Sequence, residues 1–132
     1  MIVLDASVMA NIVGDDGVSG DAARRFARGF DHWAVPDFVD VETVAVLRKR
    51  WKAGALSQKR FREAVDDLVA LPIGRFASRA LVHRAFELRS NVTPYDSLYV
   101  ALAEALSYTL VTADVRLARA PGIRCNVIVL GG

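Results

Sequence analysis

Met1-Ile2-Val3-Leu4-Asp5-Ala6-Ser7-Val8 is the stretch on which the fold turns. Its first four residues form an apolar run, too short for a helix and too apolar for a strand with one wet face, so they predict a strand buried in a parallel sheet. Asp5 follows at once. Helix-compatible residues then run from Ala6 to Val13, until Gly14-Asp15-Asp16-Gly17 breaks the pattern as a turn. In an open parallel sheet ligands gather at the carboxyl ends of the strands, so Asp5 marks the first place to look for chemistry.

Working outward, the same alternation repeats. Ser19 is placed to cap a helix ending near Arg28, and Trp33 to Val35 is a second short strand closed by Pro36. Asp37 opens a long helix to about Ala53 with Phe38, Val41, Ala45, Leu47 and Trp51 as its apolar positions. The basic run Arg48-Lys49-Arg50 complements the dipole at its C-terminal end. Ser57 caps a further amphipathic helix to Ala70, with Phe61, Val65, Leu68 and Val69 expected inward. Leu71 to Ile73 is a third strand candidate that Pro72 confines to a sheet edge. Ala77 to Arg89 reads as helix, Thr93 caps another through Leu106, and Thr109–Thr112 and Cys125–Leu130 are the remaining strands. Strands alternating with helices predict an α/β fold, with a mainly parallel sheet of about five strands flanked by helices in a single domain over residues 1–132.

The composition narrows the classes. A hydrophobic share of 53% and a mean hydropathy of +0.26 fit a well-filled core, and no apolar run is long enough to span a membrane. The N-terminus lacks the basic flank of a secretory signal, which points to the cytoplasm. Cys125 is the one cysteine, so an internal disulfide and a multi-cysteine zinc site are excluded. Neither His32 nor His83 has a second His or Cys at ligand spacing. Seventeen basic residues stand against fifteen acidic ones. If the four acids discussed next are held by metal, the rest of the surface is clearly cationic and suits a polyanion.

Four acids stand out. Asp5 directly follows the first strand and Asp114 lies two residues beyond Thr112, both at the ligand-binding edge of the sheet. A helix N-cap role explains either one alone. Asp96 sits in Thr93-Pro94-Tyr95-Asp96, the pattern of a capping box with proline at the first helical position. Glu42 resists a purely structural explanation: its helical neighbours Phe38, Val39, Ala45 and Val46 are apolar, and an idle carboxylate there is costly. Oxygen donors of this kind suit hard cations such as Mg²⁺ or Mn²⁺, and clustered carboxylates are electrostatically sensible mainly around a cation.

These residues, in this order, resemble the PIN-domain ribonucleases of the VapC toxin type: Met1-Ile-Val-Leu-Asp5-Ala-Ser7, Glu42 in a long helix, Thr93-Pro-Tyr-Asp96 running into Leu98-Tyr-Val-Ala-Leu-Ala, and Leu110-Val-Thr-Ala-Asp114. The resemblance covers nearly the whole chain. It implies a metal-dependent endoribonuclease with an acidic quartet of Asp5, Glu42, Asp96 and Asp114. Ser7 and Thr112 would support it, and Arg116 and Arg119 would lie nearest the phosphates of the RNA. It implies further a homodimer and a cognate VapB-type antitoxin whose tail crosses the active groove, with Trp51 and Phe61 as candidates for that groove. Many relatives carry another acid just after the fourth, whereas this chain has Val115 and Arg116, which puts a second metal in doubt.

Two other readings compete. A phosphoacceptor or phosphatase using Asp5 as nucleophile lacks a second carboxylate at position 7, where Ser7 stands, and lacks a phosphate-clamping lysine after the fourth strand. A catalytically inactive PIN-fold module binding RNA or protein would gain stability by shedding the clustered charge, yet all four acids are present.

Overall fold

The N-terminal apolar run is the centre of the sheet. In the computed structural model, which describes residues 1–131, Ile2, Val3 and Leu4 form strand β1 and are fully buried. Four strands join it: β2 (Trp33–Pro36), β3 (Gly74–Phe76), β4 (Thr109–Thr112) and β5 (Val127–Val129). The order is β3-β2-β1-β4-β5 and every pairing is parallel. Val3 lies between Ala34 of β2 and Leu110 of β4, so β1 has strands on both sides and helices above and below. That placement explains why the run carries no polar residue.

Among the described residues seven helices connect the strands: α1 (Ala6–Gly14), α2 (Val18–Ala27), α3 (Val39–Lys52), α4 (Gln58–Ala70), α5 (Val82–Glu87), α6 (Pro94–Leu106) and α7 (Val115–Ala118), with a 3₁₀ turn over Ser78–Leu81. The first four pack on one another, while α5 packs on α6, which lies across β1, β2 and β4. Right-handed crossovers put the two groups on opposite faces: the chain steps from β1 to β2 to β3 in one direction, then jumps back past β1 to β4. The strand order therefore reverses between β1 and β4. Asp5 and Asp114 leave the carboxyl ends of those two strands, at the crevice where such sheets bind ligands.

α1 is buried along nearly its whole length. Its C-terminal carbonyls are taken by Arg24 of α2, whose Nη1 donates to Ile12 O at 2.9 Å, Asp15 O at 2.8 Å and Asn11 O at 3.3 Å, while Nη2 pairs with Asp21 at 2.7 Å. The two helices approach so closely at Gly20 that a Cβ there would lie 1.8 Å from the carbonyl oxygen of Asp15. Only glycine fits.

The structure corrects several expectations. The third strand is Gly74–Phe76, not Leu71–Ile73. Pro72 has no N–H to give a ladder, and the Ile73 amide turns back to Leu71 O at 3.0 Å before the strand begins. The strand does lie at the sheet edge, where Arg75 forks onto Asp40 at 2.8 and 3.0 Å and reaches Leu68 O and Leu71 O at the end of α4. Gly17, not Ser19, is the N-cap of α2. The long helix starts at Val39, and the expected helix 77–89 is split into the 3₁₀ turn and α5. The last strand is shorter than Cys125–Leu130. Val69, expected inward, is exposed, and so are the apolar positions Val41 and Trp51, the latter stacking obliquely on Phe61.

Candidate active site

Asp5 is the most constrained acid. It is the N-cap of α1, and its Oδ1 accepts from Val8 N at 3.1 Å and from the Ser7 hydroxyl at 2.5 Å. Its Oδ2 accepts from the Thr112 hydroxyl at 2.5 Å. The same two hydroxyls accept backbone amides from the end of β4: Ala113 N donates to Ser7 Oγ at 3.1 Å and Asp114 N to Thr112 Oγ1 at 3.0 Å. One carboxylate thus ties the ends of β1 and β4 together. Burial pushes its pKa up, and the bonds from Ser7, Thr112 and Val8 oppose that rise.

Glu42 stands in the first turn of α3 and is half-buried. Its Oε1 accepts from the Tyr99 hydroxyl of α6 at 2.6 Å. Burial raises its pKa, the Tyr99 bond lowers it, and the charges of Asp96 and Asp5 raise it further. The apolar surroundings expected from sequence are real, but the polar partner comes from another helix. No local pattern in the sequence marks Tyr99; the available signal is that a buried tyrosine needs a hydroxyl partner and that it stands three residues after Asp96, on the same helical face. Desolvation and the neighbouring carboxylate drive its own pKa far upward, so it stays a donor.

Asp96 lies in the first turn of α6, where Thr93 is the N-cap and Pro94 the first helical residue, as the sequence predicted. The capping bond uses the backbone: Asp96 N donates to Thr93 Oγ1 at 3.3 Å. Burial raises the pKa of its carboxyl first, then the charge of Asp5. The Thr93 bond opposes, Asp114 raises it again, and Arg116 lowers it. Asp114 caps the short α7 by accepting from Arg116 N at 2.9 Å, and the Arg116 guanidinium lies 3.6 Å from its carboxylate. Arg116 is otherwise held out in solvent, and Arg119 is exposed at the end of α7.

The four acids therefore share one electrostatic neighbourhood, in which Asp5, Glu42 and Asp96 raise one another's pKa or are raised by the others. Among the described residues no Lys or Arg forms an ion pair with any of those three. Nor does any group of three Asp, Glu, His or Cys side chains stand at mutual metal-ligating distance among them. Like charges repel, so the carboxylates gain nothing from approaching one another closely. The donor set suits a hard divalent ion: carboxylate oxygens, partly buried, of which Asp5 and Glu42 are held by hydroxyl and amide donors and none of the three is ion-paired among the described residues. His32 and His83 are exposed, as expected. Cys125 is half-buried and its thiol is pushed up to about 11, which keeps it unreactive at neutral pH.

Acids at the strand-order reversal of a parallel sheet, with the exposed Arg116 and Arg119 close to Asp114 in sequence, define the class: an α/β protein that gathers carboxylates at the ligand-binding edge of its sheet. Residues 2–123 match the PIN domain. The ribonuclease VapC9 of Mycobacterium tuberculosis is 37% identical over 131 residues, covering 98% of both chains. The ribonuclease VapC1 of the same organism is 36% identical over 126 residues, 95% of this chain and 94% of its own length. Two solved structures share the fold. Mycobacterium tuberculosis VapC20, a Sarcin-Ricin loop cleaving toxin, superposes with a TM-score of 0.72 at 14% identity, over 94% of this chain and 97% of its own. VapBC2 from Rickettsia felis does so with a TM-score of 0.69 at 16% identity, over 98% and 99%. The chain belongs to the PIN-domain family, among relatives that are VapC ribonucleases.

Proposed function

We propose that the protein is a divalent-metal-dependent endoribonuclease of the toxin–antitoxin kind. It acts in the cytoplasm as a homodimer, is neutralised by a cognate VapB-type antitoxin, and uses residues 1–132 as one PIN domain. The observation that carries the reading is the unanswered charge. Asp5, Glu42 and Asp96 are each pushed toward protonation by burial, Glu42 and Asp96 also by neighbouring carboxylates, and among the described residues no basic side chain is ion-paired with them. The VapC1 and VapC9 ribonucleases, aligned over almost their whole length, support the RNA substrate. The Rickettsia felis pair, solved bound to a DNA fragment from their promoter, and a toxin-antitoxin complex from Klebsiella pneumoniae share the fold and supply the precedent for an antitoxin.

Asp5, Glu42 and Asp96 would hold Mg²⁺ or Mn²⁺, directly or through water, and Asp114 would orient the attacking water. When bound, such an ion offsets the negative charge that develops on the phosphodiester and on the leaving oxygen. The remaining work falls to the chain. Ser7 and Thr112 aim the two oxygens of Asp5, and Tyr99 fixes one oxygen of Glu42, so two acids are oriented before substrate arrives. Arg116 and Arg119 would meet phosphates beside the scissile bond. With no acid at positions 115 and 116, and with Arg116 already beside Asp114, one ion is the preferred occupancy.

The test is cleavage of RNA by the purified protein with Mg²⁺, with Mn²⁺ and with chelator, followed by sequencing of the RNA ends. Cleavage is expected with metal, and its loss is expected in chelator and in Asp96→Asn. Equal cleavage by wild type and Asp96→Asn in chelator overturns the proposal. Light scattering at the same protein concentration checks the dimer; a monomer mass removes it.

A further inference from the structure

A groove of about 1010 Å³ opens next to the acidic site. That is the upper end of the range for pockets that enclose small ligands, and ample for a nucleobase with its sugar. It begins at Ser7 and Ala113, which flank the Asp5 carboxylate and the end of β4, and runs along one face of α1 through Asn11 to Asp15. Ser7, Asn11 and Asp15 recur every four residues, so they line it as a single ridge. Arg50 from α3 and Lys59 from α4 face them, and Ala55 and Leu56 add an apolar wall.

Asn11 is the feature that needs explaining. It is 6% exposed, in a helix whose other inward residues are almost all apolar. Arg50 Nη2 donates to its Oδ1 at 2.8 Å, which fixes the amide so that Nδ2 is the free end. Among the described residues Nδ2 donates to no protein atom, although Asn11 lines the groove. The amide is nearly buried and held in one orientation by a guanidinium, and its donor end has no protein acceptor among the described residues and meets the open groove. The acids nearby do not claim it. Asp16 is held by Arg60 at 2.9 Å, and Asp15 accepts from Gly17 N at 2.7 Å. Lys59 has no ion pair among the described residues.

Resting on the ribonuclease reading, we infer that this groove is a base-recognition subsite for the RNA nucleotide next to the scissile phosphate. Asn11 is the discriminating residue and Arg50 the residue that positions it. The groove's charges cancel internally, so it gives no general attraction for phosphate. Its hydrogen-bonding pattern carries the information, as in proteins that read unpaired bases by their polar edges. The free groups are mostly donors, the Asn11 amide, the unused N–H groups of Arg50 and the Lys59 ammonium, with the Glu63 carboxylate on α4 as an acceptor that has no ion pair among the described residues; Asn11, fixed in place by Arg50, sets the preference. The donors suit bases that present a carbonyl oxygen, guanine at O6 or uracil at O4, and disfavour adenine and cytosine, which present an amino group at the same place.

The experiment cleaves a randomised RNA pool with wild type, Asn11→Asp, Arg50→Ala and Arg50→Lys, and sequences the ends. Wild type is expected to favour guanine or uracil over adenine or cytosine by about tenfold at one position beside the cut. Asn11→Asp replaces the donor with an acceptor and is expected to abolish or reverse that preference. Arg50→Ala is expected to flatten it, and Arg50→Lys to restore part of it. These changes in base profile are readouts that a purely structural role of Arg50 would not move. Thermal melts check folding; if Asn11→Asp does not fold, the half-exposed Arg50 variants and Lys59→Ala decide. The same base profile in wild type and all folded variants overturns the inference, as does a set of variants that lose only the binding of an antitoxin peptide. A second arm measures binding of tetrauridylate and tetraadenylate in chelator, where cleavage is absent. Tighter binding of tetrauridylate that depends on Asn11 supports the subsite even if no cleavage is found in the first arm, in which case the ribonuclease reading alone falls. Equal binding of the two overturns it.

Discussion

Replacing Thr112 with valine isolates the connection between β4 and the acidic site. Thr112 is fully buried, and its hydroxyl makes two bonds: it donates to the Asp5 carboxylate at 2.5 Å and accepts Asp114 N at 3.0 Å. Valine keeps the branched shape and removes both. A hydrogen bond to an ionised acceptor contributes about 1.5–3 kcal/mol, and the amide bond about 1 kcal/mol more. The added methyl returns about 0.8 kcal/mol of burial. The net expectation is a loss of about 2–3 kcal/mol at pH 7 in chelator. For a domain of this size each kcal/mol moves Tm by roughly 3–5 °C, so the melting point should fall by about 6–15 °C. The pH dependence gives a second handle. Burial has already raised the Asp5 pKa, and the Thr112 donation restrains that rise, so valine should raise it further. An acid whose pKa is higher in the folded than in the unfolded chain costs stability above the folded value and regains it as the pH falls toward the unfolded one. The gap between wild type and Thr112→Val should therefore narrow from pH 7 to pH 5. The assay is thermal unfolding followed by circular dichroism at both pH values. A Tm within about 2 °C of wild type at pH 7 would refute the reasoning.

Three further outcomes are expected. The metal-free protein should gain stability as the pH falls from neutral, because Asp5, Glu42 and Asp96 all have raised pKa values; urea titrations across pH should show a shallower slope for Asp96→Asn, and an unchanged slope would count against the cluster. Tyr99→Phe, which removes only the hydroxyl held at 2.6 Å by Glu42, should cost about 1–3 kcal/mol and slow metal-dependent cleavage, measured by melting and by initial rates. Arg24→Ala should destabilise by about 2–3 kcal/mol through loss of its bonds to the end of α1, and Arg24→Lys should recover little, since an ammonium cannot reproduce the fork; full recovery in a denaturation curve would contradict that account.

The parts of this protein that were legible in its sequence are those fixed by local chemistry. β1 is an apolar run ending at an acid, β4 is a short β-branched stretch with Asp114 two residues beyond it, and the Thr93-Pro94 start of α6 is a local hydrogen-bonding pattern. β3 was misplaced because a three-residue edge strand reading Gly74-Arg75-Phe76 has no apolar face to announce it; it is held by pairing with β2 and by Arg75. Val69 is expected inward yet is exposed, as are the apolar positions Val41 and Trp51, because helical spacing records which residues share a face but not what covers that face. Glu42 was recognised as anomalous, yet Tyr99, which answers it, is 57 positions away. The Thr112 bond to Asp5 spans 107 positions. Contacts of that kind belong to tertiary structure.

The way Asp5 and Asp96 enter their helices differs, and the difference matters for genetics. Asp5 caps α1 with the same carboxylate that would bind metal, whereas Asp96 joins its cap through the backbone amide, and its carboxylate, close to the Thr93 hydroxyl, is not the capping group. In a random-mutagenesis screen for silent alleles, lesions at codon 5 would mix misfolded chains with well-folded inactive ones. Lesions at codon 96 that keep the amide, Asp96→Asn above all, would yield soluble, full-length, inert protein. Codon 96 is thus the position from which a folded but silent form of this protein can be made for trapping RNA or antitoxin.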